Sequence, residues 1–286
     1  MNDEQLFSIN DQQWQRKEIE LNSFTLSCLE GGCSTGKTIL FLHGWNVSTE
    51  PYSDCLNSLA EKYWIIAPDL PGFGRCLRLA SQSPCSLSLS SYQTYANCII
   101  QLIQLLDLAK FHLVGHSFGG GIALALAAAI PDKVISVIAI DSTGIPLISP
   151  AEIVRRRFAE LPQQIAQLRW QPFIRILLAA LYNGIFRRQY LIEGAKISLR
   201  EDLRPWLKDI KSPCLVLWGE RDYFTDLDLG YGLVEAIADS QLQIVPNGYH
   251  EWCMMQPEKL AAISCDFFKR IEIESSTPNS YEASKT

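Results

Sequence analysis

The sequence predicts an α/β fold: a mostly parallel central sheet flanked by helices, with one helical segment inserted into it. Three observations carry this expectation. Short Val/Ile/Leu-rich runs alternate with longer stretches of helical periodicity, the pattern of a sheet covered on both faces. The interval 146–211 breaks that alternation, being too long for a simple connection and lacking a convincing strand. The 286 residues, 48% hydrophobic and 20% charged, form an ordinary globular mixture that is large enough for one α/β domain with an insertion.

In chain order, residues 1–17 read as a flexible lead. Strands are expected at 19–30 (IELNSFTLSCLE), 38–44 (TILFLHG), 63–69 (YWIIAPD), 111–116 (FHLVGH), 134–141 (VISVIAID), 214–220 (CLVLWGE) and 242–247 (LQIVPN). A Ser-rich start suited to capping opens a helix over 88–108, and Pro257 fits the first turn of a second helix over 256–272. Both are sheet-covering elements. Residues 18–145 and 212–272 thus form the core, 146–211 a helical cap, and 273–286 a polar, frayed tail. The apolar stripe in PFIRILLAALYNGIF (172–186) reads first as the cap's own packing face and second as a surface for an apolar substrate.

Composition narrows the function classes. The longest strongly apolar run, GGGIALALAAAI (119–130), is too short to span a bilayer, and the N-terminus carries acidic and amide residues where a secretory signal has a basic start and an apolar block. A cytoplasmic protein without stable membrane insertion is expected. Nine scattered cysteines, with no C-x-x-C pair or Cys/His spacing, point to neither a disulfide framework nor a metal site. The net charge of −6 is uneven: 146–211 holds twelve Lys or Arg against six Asp or Glu, leaving −12 on the remainder. A solvated helical surface is the first reading of this basic segment, and attraction of an anionic substrate or surface the second.

GGCSTGKT (31–38) matches the phosphate-binding G-x-x-x-x-G-K-[ST] pattern. That chemistry needs a helix N-terminus directly after the loop, whereas Lys37 and Thr38 run straight into the strand ILFLHG. The glycines therefore read as a turn between strands.

Gly115-His116-Ser117-Phe118-Gly119 ends one strand and opens a small-residue helix. In that context G-x-S-x-G is a nucleophile elbow, a sharp turn that presents the serine hydroxyl. Of four histidines, His43 and His116 lie inside turns and His112 near the start of its strand, leaving His250, just after the last strand, as general base. Asp222 follows the strand before it and gives the chain order Ser, Asp, His; Asp141 and Asp226 stand as alternative partners, and Asp69 reads as part of a structural turn. Oxyanion donors are expected from the amides of Phe118 and Trp45, with His43 tying its own turn together.

With HGW (43–45), DLPGFG (69–74), GHSFGG (115–120), WGERD (218–222) and GYHEW (248–252) in this order, the chain resembles the serine-dependent α/β-hydrolases with a helical cap, over roughly residues 18–272. The resemblance implies ester hydrolysis through an acyl-enzyme on a small, partly apolar molecule, with no cofactor, metal or nucleic acid. Related activities fit less well. Epoxide hydrolases and haloalkane dehalogenases carry aspartate at the elbow, proline iminopeptidases have HGGPG where this chain has HGWNV, and carbon-carbon hydrolases often have asparagine in place of His116. Carbon-carbon cleavage on the same triad and a ligand-binding receptor of the same fold remain the alternatives.

Overall fold

The computed structural model describes residues 14–78, 89–147, 151, 155 and 169–276. The predicted flexible segments at 1–13 and 277–286, and 148–150, 152–154 and 156–168 of the predicted cap, lie outside them.

From β1 (Gln15–Glu20) and β2 (Phe24–Gly32) at one edge, the sheet has the order β1-β2-β4-β3-β6-β7-β8-β9, with β5 (Leu77–Arg78) paired to β2. β3 (Thr38–Leu42), β4 (Trp64–Pro68), β6 (Phe111–His116), β7 (Val134–Ile140), β8 (Cys214–Gly219) and β9 (Ser240–Val245) are mutually parallel. All six carboxyl ends therefore open on one edge, where ligands of such sheets gather.

The expected strand over 19–30 is two strands. β1 (Gln15–Glu20) and β2 (Phe24–Gly32) form an antiparallel hairpin, closed where Leu21 N donates to Phe24 O at 2.7 Å. β1 is an edge strand of mostly charged residues, QRKEIE, so it has no apolar run to betray it. The ordered core consequently begins at Gln15 rather than 18. It also ends later than 272, because the last helix, α9 (Pro257–Ser276), which follows the short α8 (Trp252–Met255), continues to Ser276.

Strand residues alternate between two hydrophobic layers. Leu40, Leu42, Leu113, Val137 and Val216 face α2 (Tyr92–Leu105) and α3 (Phe118–Ala129), while Ile39, Phe41, Val114, Ile138 and Leu217 face α1 (Ser53–Ala60) and α9. The expected Ser-rich cap is present on α2: Ser91 accepts from Thr94 N, and Thr94 Oγ1 accepts from Ser91 N. In GGCSTGKT the turn closes where Gly36 N donates to Cys33 O, and β3 begins at Thr38 with no helix following. Side chains at Gly32 and Gly36 would run into the Tyr63 and Lys62 carbonyls at 2.4 and 2.2 Å, so the strand crossing itself requires these glycines.

Between β7 and β8 the described chain forms α4 (Trp170–Phe186), α5 (Arg188–Arg200) and α6 (Arg204–Leu207). The expected packing role of the 172–186 stripe does not hold. Ile174, Leu177, Leu178, Leu181, Ile185 and Phe186 are exposed, whereas Pro172 and Asn183 are buried and Phe173, Arg175, Ile176, Ala179 and Ala180 are partly covered.

Candidate active site

Ser117 joins β6 to α3 with φ +54° and ψ −118°, a conformation most side chains avoid. The surroundings over-determine it. Ser117 N donates to Ile140 O at 2.8 Å and Thr143 N donates to Ser117 O at 3.1 Å, pinning the turn to the end of β7. A Cβ at Gly119 would lie 2.3 Å from the Leu42 and His43 carbonyls, so only glycine lets α3 approach β3 this closely. Phe118 opens the helix, and its amide has no intrahelical partner.

Ser117 Oγ lies 3.0 Å from His250 Nε2, and His250 Nδ1 lies 2.7 Å from Asp222 Oδ2. With Nδ1–H donating to the carboxylate, Nε2 is left as the acceptor for the serine proton. The loop after β8 organises Asp222: its Oδ1 accepts from the amides of Phe224 and Thr225 at 2.8 and 2.9 Å, and Thr225 Oγ1 donates to Oδ2 at 2.5 Å. Burial alone would push this carboxyl up, but the His250 charge and hydrogen bond, with those from Thr225, outweigh it and hold Asp222 below the usual carboxylate range. All three side chains are less than one-tenth exposed. The arrangement can take a proton from Ser117, store it on His250, and stabilise the imidazolium with an ionised carboxylate.

The alternative carboxylates have other positions. Asp226 precedes α7 (Leu227–Ala236) at its N-terminal boundary. Asp141, with φ +43°, accepts from Gly219 N at 2.7 Å through Oδ1. Burial, reinforced by the Asp222 charge, pushes the Asp141 carboxyl well above its ordinary value, the opposite sense to Asp222. Asp69 is structural, accepting from Thr49 N, Thr49 Oγ1 and Arg75 N.

The other histidines are built into the frame. His43 Nδ1–H donates to Gly44 O and its Nε2 accepts from Leu70 N, both at 2.8 Å, tying the turn together. His112 lies at the amino end of its strand between Ser136 and Glu272. His116 is held neutral near about 3 by burial, with the His250 charge adding to the effect. Its partners then follow from its tautomer: Gly44 N–H donates to Tyr52 Oη at 3.1 Å, Tyr52 Oη–H to His116 Nδ1 at 2.6 Å, and His116 Nε2–H to the His250 carbonyl at 3.0 Å. This chain links the turn after β3 to the loop carrying His250. Tyr52 and Thr225 are functional supports that no sequence motif marked.

A cleft of about 260 Å³ opens over the serine, lined by Gly44, Trp45, Tyr52, Ile176, Phe224 and Met254 among others. The Trp45 ring is fixed by Nε1–H donating to Leu191 O at 3.0 Å. The Gly44 turn sits against the elbow, since a Cβ at Gly44 would lie 3.5 Å from that of Ser117. Among the described residues no Lys or Arg lines the cleft, and its one carboxylate is Glu251. A broader hollow of about 810 Å³ lies at the opposite, amino ends of the strands, around Lys37, Lys110 and Lys211. It contains none of the Ser, His and Asp groups described above. Among the described residues no cluster of His, Cys, Asp or Glu is suited to a metal ion.

The sequence and the fold have parallels in known proteins. The chain is 26% identical to monoacylglycerol lipase ABHD6 of Bos taurus over 270 residues, covering 85% of this chain and 77% of that one. It is 25% identical to 2-hydroxy-6-oxo-6-phenylhexa-2,4-dienoate hydrolase of Burkholderia cepacia over 288 residues, covering 90% and 93%. A crystal structure of a bacterial membrane phospholipase A has the same fold, with TM-score 0.74 and 23% identity over 91% of this chain and 87% of that one. The sequence model of the Alpha/beta hydrolase family matches residues 39–263, and the chain belongs to that family of hydrolases.

Proposed function

We propose that the chain is a carboxylic-ester hydrolase working through an acyl-enzyme. Ser117 Oγ attacks the ester carbonyl as His250 Nε2 takes its proton, and the tetrahedral oxyanion sits against the amides of Phe118 and Trp45. Collapse expels the alcohol, which leaves with the proton held by His250. Water, deprotonated by the same imidazole, then attacks the acyl-serine, and collapse of the second tetrahedral intermediate frees the acid and returns the proton to Ser117. The observation that carries the reading is the continuous relay from Ser117 Oγ through His250 to Asp222, at 3.0 and 2.7 Å.

The relatives include both a monoacylglycerol lipase and a 2-hydroxy-6-oxo-6-phenylhexa-2,4-dienoate hydrolase, and the lining of the cleft supports the ester reading over the carbon-carbon one. A ring-cleavage dienoate carries a carboxylate, and among the described residues this cleft offers it no Lys or Arg while placing Glu251 nearby. Both His116 nitrogens are already engaged. A neutral, apolar acyl group fits these surroundings better. Steady-state kinetics across p-nitrophenyl esters of increasing chain length, beside 2-hydroxy-6-oxo-dienoates, tests this. Ester kcat/KM exceeding that for the dienoates by at least about 100-fold, on the order of 3 kcal/mol, supports the reading; the reverse preference contradicts it.

A further inference from the structure

Helix α4 places its two faces in opposite environments. Ile176 and Ala180 line the cleft and Asn183 is buried, donating to Val47 O and accepting from Gly74 N. On the other side Ile174, Leu178, Leu181 and Ile185 fall in register at helical spacing, flanked by Trp170, Leu177 and Phe186. These residues are exposed, with Trp170 71%, Leu178 61%, Ile185 69% and Phe186 65% accessible. A continuous ridge of large apolar side chains on the surface of a folded domain marks a contact surface rather than random exposure.

The charge around the ridge says what it contacts. Residues 161–192 contain no Asp or Glu and four Arg. Arg169 and Arg175 are tied to Asp54 at the inner side; at the C-terminal end of the ridge Arg187 is half-buried with its guanidinium over the Tyr182 ring, and Arg188 is exposed. Among the described residues no carboxylate pairs with those two. An apolar helical face with aromatic residues at its ends and arginines beside it matches the acyl boundary and anionic headgroups of a lipid surface. A second copy of this chain fits less well, because apposing two such faces would bring like charges together.

We propose that the outer face of α4 docks on an anionic lipid surface, lying in the interface rather than crossing it. No described helix is long and apolar enough to span a membrane. Because the inner face of α4 carries Ile176 and Ala180 of the Ser117 cleft, docking would hold that cleft one helix away from the lipid; that this serves ester turnover rests on the ester-hydrolase reading.

The test is co-sedimentation of the full chain with phosphatidylcholine vesicles, with and without ~30% phosphatidylglycerol. Wild type and Ser117→Ala should pellet equally, and more with the anionic lipid. Leu178→Glu/Ile185→Glu should lower vesicle binding about tenfold or more. Its hydrolysis of a short, soluble p-nitrophenyl ester should stay within about twofold of wild type, a check that it is folded. Wild type remaining in the supernatant with both vesicles overturns the proposal. A concentration-dependent dimer that the two glutamates dissolve, with no vesicle binding, assigns the face to a second copy and overturns it too. Vesicle binding with no turnover of any ester leaves the docking surface standing and removes the ester reading.

Discussion

The carboxyl edge of the sheet and the outer face of α4 lie on either side of one helix and distribute polarity in opposite ways. At the edge, Ser117, Asp222 and His250 are buried polar groups joined in one relay and fixed by named donors. On α4 the large apolar residues face outward. The first region is specified by hydrogen bonds whose loss leaves buried groups unpaired, whereas the second contributes little to the fold, because its apolar area is not removed from water. Chemistry at the edge should therefore respond steeply to single atoms, and the α4 ridge should accept substitution without loss of structure.

The sharpest way to break this contrast is at the serine. Ser117→Ala should lower ester turnover by on the order of 10⁴-fold or more while leaving the melting temperature and vesicle binding intact, as read by steady-state kinetics and co-sedimentation. Asp222→Asn should follow with a loss of about 10³–10⁴ in kcat and little change in KM, because His250 is then held in the wrong tautomer. Tyr52→Phe is a smaller perturbation. It leaves Gly44 N and His116 Nδ1 without their partner, so denaturant unfolding should show a loss of about 1–3 kcal/mol, and kcat should fall less than about 100-fold.

The smallest expected effect is a pH dependence. Asp141 has a raised folded-state pKa, so between the unfolded carboxyl value of about 3.9 and that raised value the native state binds more protons than the unfolded chain. Its contribution to stability is thus present at low pH and lost as pH rises, by at most about 1.4 kcal/mol per pH unit. Asp141→Asn keeps an acceptor for Gly219 N and removes this slope. Its melting temperature relative to wild type should increase from pH 5 to pH 8; a constant difference would mean that Asp141 is ionised in the fold. Asp222, with its depressed value, acts in the opposite sense, stabilising above the unfolded carboxyl pKa and losing that contribution as pH falls.

Much of this site was legible in the sequence because each member of the relay follows a strand in a turn with its own local signature: Gly115-His116-Ser117-Phe118-Gly119, the GERD turn and the segment before Trp252. Parallel strands then bring those ends together without further information. Tyr52 was not legible. It belongs to a short 3₁₀ turn, Glu50–Tyr52, and meets His116 only through tertiary packing across 64 residues. Thr225 sits three residues after Asp222 but carries no motif of its own. β1 carries no sequence signal because edge strands tolerate charge on both faces, and the outward apolar face of α4 differs from the expected packing face because helical periodicity says that a face is apolar, not what covers it.

The central claim is that Ser117 is an activated nucleophile within a preformed relay. Intact-protein mass spectrometry after exposure to a fluorophosphonate tests it most directly. The account predicts a single adduct on the folded wild type, mapping to the peptide containing Ser117 and absent from Ser117→Ala. A folded wild type that stays unlabelled, or an adduct that persists in Ser117→Ala, would contradict it.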